Sequence, residues 1–294
     1  MENMALWQLM RETWAKIEPC YLPVVEPVIS ESGLDKREWG MLLAAQTFEP
    51  EDTTPGHLMV RGPYTAADQY LLWLSNAAGR GYFETVAEGQ FKLSQQGKAI
   101  TERFIDLARQ AMEAADPLQP EDSKPLVRCL DQLIETSLRT PAPPDTWSIR
   151  LSYKLMPDRD PTLPYIEQAL SCLSAYRDDA HLASWQDSDL SATALEALTL
   201  IWRHQAGTLD ELVEKLARRG HSREVYADAL AELREKDYVS GIRSALKVTE
   251  RGDEFRRQVE SITDLLFFAP WSCLSQGDKE ELAVLFTKLE DGLG

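Results

Sequence analysis

Long apolar runs are missing from this 294-residue chain. No stretch nears the roughly 20 apolar residues that a membrane span requires. The start, Met1-Glu2-Asn3-Met4-Ala5-Leu6-Trp7, lacks a basic region followed by an apolar run, so no secretory leader is expected and the cytoplasm is the expected location. Cysteine is scarce: Cys20, Cys129, Cys172 and Cys273 are scattered, with no CxxC and no nearby histidine at ligand spacing. That argues against a zinc site and a disulfide framework, and all four read as small buried apolar residues. GxSxG, Walker and dinucleotide fingerprints do not occur, so neither a cofactor nor a catalytic role is expected. The one compact group of acids with a histidine is Asp178, Asp179 and His181. With Arg177 four residues before His181 on a helix, it reads as a local ion-pair cluster rather than a metal site.

Cations are also in short supply. The net charge is −17, divided into −8 over residues 1–140 (21 acidic, 13 basic) and −9 over residues 141–294 (27 acidic, 18 basic). Neither half is a basic module, and phosphate neutralisation normally needs Lys and Arg gathered on one face.

What the chain does contain is an internal repeat. Residues 34 to about 139 recur at 190 to about 293, shifted by 156: Leu34 meets Leu190, Thr65 meets His221, Leu74 meets Leu230 and Tyr82 meets Tyr238. The offset is 155 where Phe91-Lys92-Leu93-Ser94-Gln95-Gln96-Gly97 meets Leu246-Lys247-Val248-Thr249-Glu250-Arg251-Gly252, and 156 again beyond it. A register kept through turns marks one fold built twice. The expected domains are residues 1–140 and 165–294, joined by a stiff connector over 141–164 with prolines at 141, 143, 144, 157, 161 and 164.

The second copy is the clearer. Leu195, Leu198, Ile201 and Trp202 have helical spacing, and Gly207 stops that helix. Thr208, with Glu211 three residues on, starts a second helix through a capping box, and Ser222 caps a third. Tyr238-Val239 and Leu246 to Thr249 then form a hairpin, a wing, before a long helix from about Arg251. The first copy follows the same plan, except that Glu49-Pro50-Glu51-Asp52-Thr53-Thr54-Pro55-Gly56 suits a loop. Its second helix is therefore expected to be degraded, leaving His57 to Arg61 for a short helical turn or strand. Met4 to Val28 and Tyr165 to Trp185 read as the helices that lead into the two copies. The fold class is mainly α with small β wings, as two tandem winged helix-turn-helix domains.

This order of elements, with Leu230-Ala231-Glu232-Leu233-Arg234-Glu235-Lys236-Asp237-Tyr238-Val239 and the strand running into Thr249 and Gly252, echoed by Leu74 to Phe83 and Phe91 to Gly97, resembles the MarR-type winged-helix regulators. The wider two-copy pattern, with Tyr176 to His181 and Phe267-Phe268-Ala269-Pro270-Trp271, is similar to a set of uncharacterised bacterial winged-helix proteins. The resemblance implies a transcriptional regulator of double-stranded DNA in which two covalently joined copies replace a homodimer, leaving a monomer that acts as a pseudo-dimer. The third helix would enter the major groove and the wing would reach the backbone or the minor groove.

On that plan the second copy offers Arg218, Arg219, Ser222, Arg223, Tyr226, Arg234 and, on the wing, Arg243; the first offers Arg61, Thr65, Gln69 and Arg80. Glu224, Asp228 and Glu235 interrupt the second strip, and Asp68, Glu84 and Glu88 the first. The sequence therefore leaves a second reading open, a winged-helix module that no longer binds DNA and instead binds a protein or senses a ligand. Trp185, Trp202, Phe267, Phe268 and Trp271 are candidates for the lining of a pocket for a small apolar effector, or for ordinary core.

Overall fold

In each copy a helix ends at the loop before a hairpin and a new helix starts just after it, and one local device fixes both turns. Ser94 and Thr249 are N-caps whose hydroxyls accept from the amides of Gly97 and Gly252, both at 3.0 Å. Their own amides donate to the carbonyls of Tyr82 and Tyr238, at 3.0 and 3.1 Å. A Cβ on either glycine would overlap that carbonyl oxygen. The Ser/Thr-x-x-Gly run after each strand is thus required by a backbone crossing, one per copy.

The computed structural model describes residues 2–158, 162–241 and 245–294. It is mainly helical, with strand confined to two antiparallel pairs. α1 (Asn3–Ser32) is longer than its sequence pattern foretells, and Pro19, Pro23 and Pro27 lie inside it on one exposed side. α2 (Lys36–Phe48), α3 (Pro55–Arg61) and α4 (Ala67–Gly79) lead to β1 (Phe83–Ala87) and β2 (Gln90–Leu93), followed by α5 (Gln95–Ala115) and α6 (Pro120–Arg139). α7 (Trp147–Tyr153) and α8 (Leu163–Ala183) come next. Then α9 (Ala192–Trp202), α10 (Leu209–Lys215) and α11 (Arg223–Glu235) lead to β3 (Val239–Ser240), β4 (Lys247–Val248), α12 (Glu250–Phe268) and α13 (Gln276–Leu293). Residues 36–139 and 192–293 therefore pass through the same order of elements.

Two expectations need correction. The second helix of the first copy is not degraded: α3 has seven residues, as α10 does. Pro55 opens it, at the position where a missing N–H costs nothing, and Thr54 caps it through the amide of His57 at 3.1 Å. Nor is the connector merely a stiff link. Its middle is α7, which packs on α8 with Ser148, Ile149 and Ser152 buried. The buried carboxylate of Asp179 accepts from the amides of Ser148 and Ile149 at 2.8 and 3.0 Å, capping α7 from a distant helix. Pro161 lies outside the described residues.

The buried apolar residues fall into three clusters. One lobe is centred on Trp39, Leu42, Phe48, Leu74 and Phe91, the other on Leu195, Leu198, Leu212, Tyr226 and Leu233. Between them a central core, with Met10, Leu130, Leu170, Phe267, Trp271 and Phe286, is supplied by α1, α5, α6, α8, α12, α13 and the turn between the last two. No described helix is long and apolar enough to cross a membrane.

Candidate nucleic-acid interface and inter-lobe cleft

The helix-turn-helix of the second lobe is built by short-range rules. Thr208 caps α10 through the amide of Glu211 at 3.1 Å, while the Glu211 carboxylate accepts from Gly207 at 2.6 Å, one residue short of the expected capping box. Gly220 takes φ +75° at the end of the turn, and Ser222 stands at the N-cap of α11. Arg218, Arg223 and Arg234 are exposed along this turn and helix. Arg223 is paired with Asp210, and Arg234 donates to the carbonyl of Gly241 at 3.4 Å. Ser222 is exposed as well, and Arg243 lies outside the described residues.

Three of the expected DNA contacts face inward. Tyr226 is fully buried, its hydroxyl donating to the Leu216 carbonyl at 3.4 Å and its phenol pushed up to about 12 by that burial. Thr65 is 2% exposed. Arg219 is tied down: its guanidinium donates to Glu196 at 2.5 and 2.8 Å and to the Thr65 hydroxyl at 3.2 Å, and it lies over the Tyr64 ring at 5.6 Å. Burial raises the Glu196 carboxyl above its ordinary range, opposed by Arg219.

These contacts belong to a joint between the lobes. The Ala66 amide donates to the Arg219 carbonyl at 2.8 Å, the His221 ring nitrogen lies 3.1 Å from the Tyr64 carbonyl, and Gln69 fills the space against Gly220. The segment that starts α4 therefore rests on the turn that starts α11. Gln69 is a packing residue of this joint rather than a free reader. In the first lobe Arg61 is paired with Asp178 at 3.0 Å, and Arg80 is exposed at the C-cap of α4. Beside the neutral Ser75 and Asn76 of α4, the third helices expose acidic and apolar residues, with Asp68, Leu71 and Leu72 on α4 and Glu224, Asp228 and Glu235 on α11.

The expected local ion-pair cluster on α8 does not form. Its members reach different partners: Arg177 binds Asp264 at 3.0 Å, Asp178 binds Arg61, Asp179 caps α7, and His181 lies 3.4 Å from the Thr263 hydroxyl. Burial first, then the Arg256 charge, lowers the His181 pKa.

Of the five aromatic residues offered as an effector pocket, four are divided between two cores and Trp202 is half-buried outside both. Phe267, Phe268 and Trp271 pack with Trp7 in the central core, with ring centroids 4.9 to 6.4 Å apart. Trp185 belongs to the second lobe's core. Trp202 donates to Asp253 at 2.7 Å and carries the buried Arg256 guanidinium 5.4 Å from its ring. None of the five lines the largest cavity described, a 650 Å³ cleft between the lobes.

That cleft is formed by α2, α3, α7 and α8, with Tyr64, Tyr70 and Arg219. A 160 Å³ hollow adjoins it, lined by Lys36, Arg37, Arg218 and Arg219. Lys36 and Arg37 are cations in the first turn of α2, against the helix dipole. Neither figures among the contacts expected from the sequence; that placement is a signal in the sequence that could have found them, although it does not reveal what they face. Among the described residues, Cys129, Asp278 and Glu281 stand close enough to hold a metal ion. Arg128 already pairs with both carboxylates, at 3.2 and 3.3 Å, and burial pushes the Cys129 thiol up to about 11, away from the thiolate a metal requires.

A family model described as a helix-turn-helix family matches residues 80–293. The match takes in all of α9, α10 and α11 and begins after α4. No curated protein and no solved structure matches the chain.

Proposed function

The chain belongs to a helix-turn-helix family, and from that membership we propose that it is a cytoplasmic, DNA-binding transcriptional regulator whose second lobe carries the DNA contact. The observation behind this reading is the family match across the whole of α9–α11, together with the exposure of Arg218, Arg223 and Arg234 on the turn and third helix. In a helix-turn-helix the residues at the start of the third helix meet base edges and flanking cations meet phosphates. No catalytic step belongs to the proposal.

We read the chain as two MarR-like winged halves in one polypeptide, residues 1–140 and 165–294, supported by the 156-residue register and by the shared order of elements. One part of the homodimer analogy has to change. Two independent readers would stand about 34 Å apart, one turn of DNA, whereas the N-terminal ends of α4 and α11 meet. The first lobe is therefore a support for the second lobe's turn, and Thr65 and Gln69 leave the DNA-contact set.

A second reading, a module that binds a protein, is favoured by the acid on α11 and the exposed Leu71 and Leu72 on α4. The experiment that separates them is capture of fragmented genomic DNA and of lysate proteins on the immobilised full chain, with and without nuclease. Reproducible enrichment of a few promoter segments supports the regulator. A nuclease-resistant protein partner without DNA enrichment replaces it.

A further inference from the structure

A helix-turn-helix fold present twice suits a two-fold symmetric DNA site, with one third helix in each of two successive major grooves about 34 Å apart. The joint between the lobes works against that arrangement here. Base edges are met by the first residues of a third helix. Gln69, at the start of α4, packs on Gly220, and only three residues, at most about 11 Å of chain, lead from Gly220 to Arg223 at the start of α11. The first turns of the two third helices are thus within about 20 Å of one another, and a major groove about 12 Å wide admits a single helix. Opening the joint to widen that spacing would break the main-chain bond from Ala66 to Arg219 and uncover the buried Thr65. Charge divides the lobes in the same way. α4 contains no Lys or Arg, whereas Lys215, Arg218, Arg223 and Arg234 are exposed along α10, the turn and α11.

We propose, resting on the DNA reading above, that the chain recognises one asymmetric segment of double-stranded DNA and not an inverted repeat. α11 alone enters the major groove, and one chain occupies one site. With Arg218, Arg223 and Arg234 as the phosphate contacts, log K falls against log salt with a slope of about −3. The first lobe stays off the bases and braces the turn before α11 through Ala66 and Thr65. An asymmetric protein on an asymmetric site binds in one direction, so the first lobe always lies towards the same end of the sequence. The internal repeat is therefore a repeat of fold without a repeat of the DNA half-site.

The test selects binders for the full chain from a library of random DNA duplexes at physiological salt, sequences them, and measures chains per selected duplex by analytical ultracentrifugation. The expected result is a motif without two-fold symmetry, bound one to one. A symmetric motif overturns the proposal, whether one chain or two occupy it, and leaves the DNA reading standing. No enrichment over the input library removes that reading and this proposal together. A matched pair of variants then locates the reader. Asp68 and Glu224 hold the same position in the two copies, 156 residues apart, and both are exposed. Glu224→Gln alters a side chain at the base-reading end of α11 and should change affinity for the selected duplex, in either direction, by at least about threefold. Asp68→Asn should leave it within about twofold, as a surface change away from the DNA does. Equal effects at the two positions overturn the proposal, and urea midpoints for both variants verify that the fold is intact.

Discussion

The main-chain amide of Ala66 donates to the main-chain carbonyl of Arg219 at 2.8 Å, joining the start of the third helix in one lobe to the turn before the third helix in the other. Around it, Arg219 bridges Glu196 and Thr65, so a residue that reads as a DNA contact in the sequence holds the lobes together.

Arg219→Ala should therefore destabilise the fold. It strands Glu196, whose side chain is 13% exposed, and breaking a buried pair by removing one partner costs about 3 to 5 kcal/mol. Because Arg219 is itself 24% exposed, the expected loss is nearer 2 to 3 kcal/mol. Urea unfolding measures it, and Glu196→Gln combined with Arg219→Met should recover part of the loss. An Arg219→Ala protein as stable as the parent contradicts the structural role.

Exposed cations should behave in the opposite way. Arg218→Gln and Arg223→Gln are expected to leave the unfolding midpoint within about 0.5 kcal/mol of the parent. If DNA is bound, each should lower affinity across sequences and reduce the slope of log K against log salt by about 1. A change in stability without a change in salt slope would remove them from the interface.

At Gly97 and Gly252 an added Cβ overlaps a carbonyl oxygen of the residue that crosses it. Gly97→Ala and Gly252→Ala should each cost about 2 to 3 kcal/mol, the upper range for overpacking. Gly40→Ala is the control: nothing lies within 4 Å of its Cβ position in the middle of α2, and the change should stabilise by about 0.5 to 1 kcal/mol. Denaturation midpoints for the three variants decide between a required glycine and a tolerated one.

His181 gives a pH dependence. Its folded pKa lies below the ordinary value because burial and Arg256 oppose the charged ring. The unfolded chain thus binds a proton that the folded chain refuses. The stability it contributes is complete above the unfolded value of about 6.5 and is lost as pH falls below it, by at most about 1.4 kcal/mol per pH unit. Subtracting the pH profile of His181→Gln from that of the parent between pH 5 and 8 should isolate this slope; coincident profiles would show that His181 titrates alike in both states.

Local chemistry was largely legible in the sequence. The cap at Thr208, the hairpin that follows Tyr238 and the amphipathic spacing of α9 depend on neighbours within a few residues, and those neighbours are written in order. Pro55 misled because the same residue breaks a helix interior and opens a first turn, and only the path of the chain decides which. Tyr226 and Thr65 were misplaced for a related reason, since helical spacing shows which residues share a face without showing what that face meets. The carboxylates of α8 illustrate the limit. Arg177, Asp178, Asp179 and His181 are close in sequence, yet their partners are 30 to 117 positions away, and no local rule carries that information.

Thirteen of the 21 residues of α8 are buried, and α1, α5, α6, α7 and α12 all lean on it. It precedes the second copy in the chain and serves both. The two halves are thus not interchangeable parts: a fragment that ends before α8 leaves a lobe without its keystone, and one that begins there leaves a keystone without half its arch.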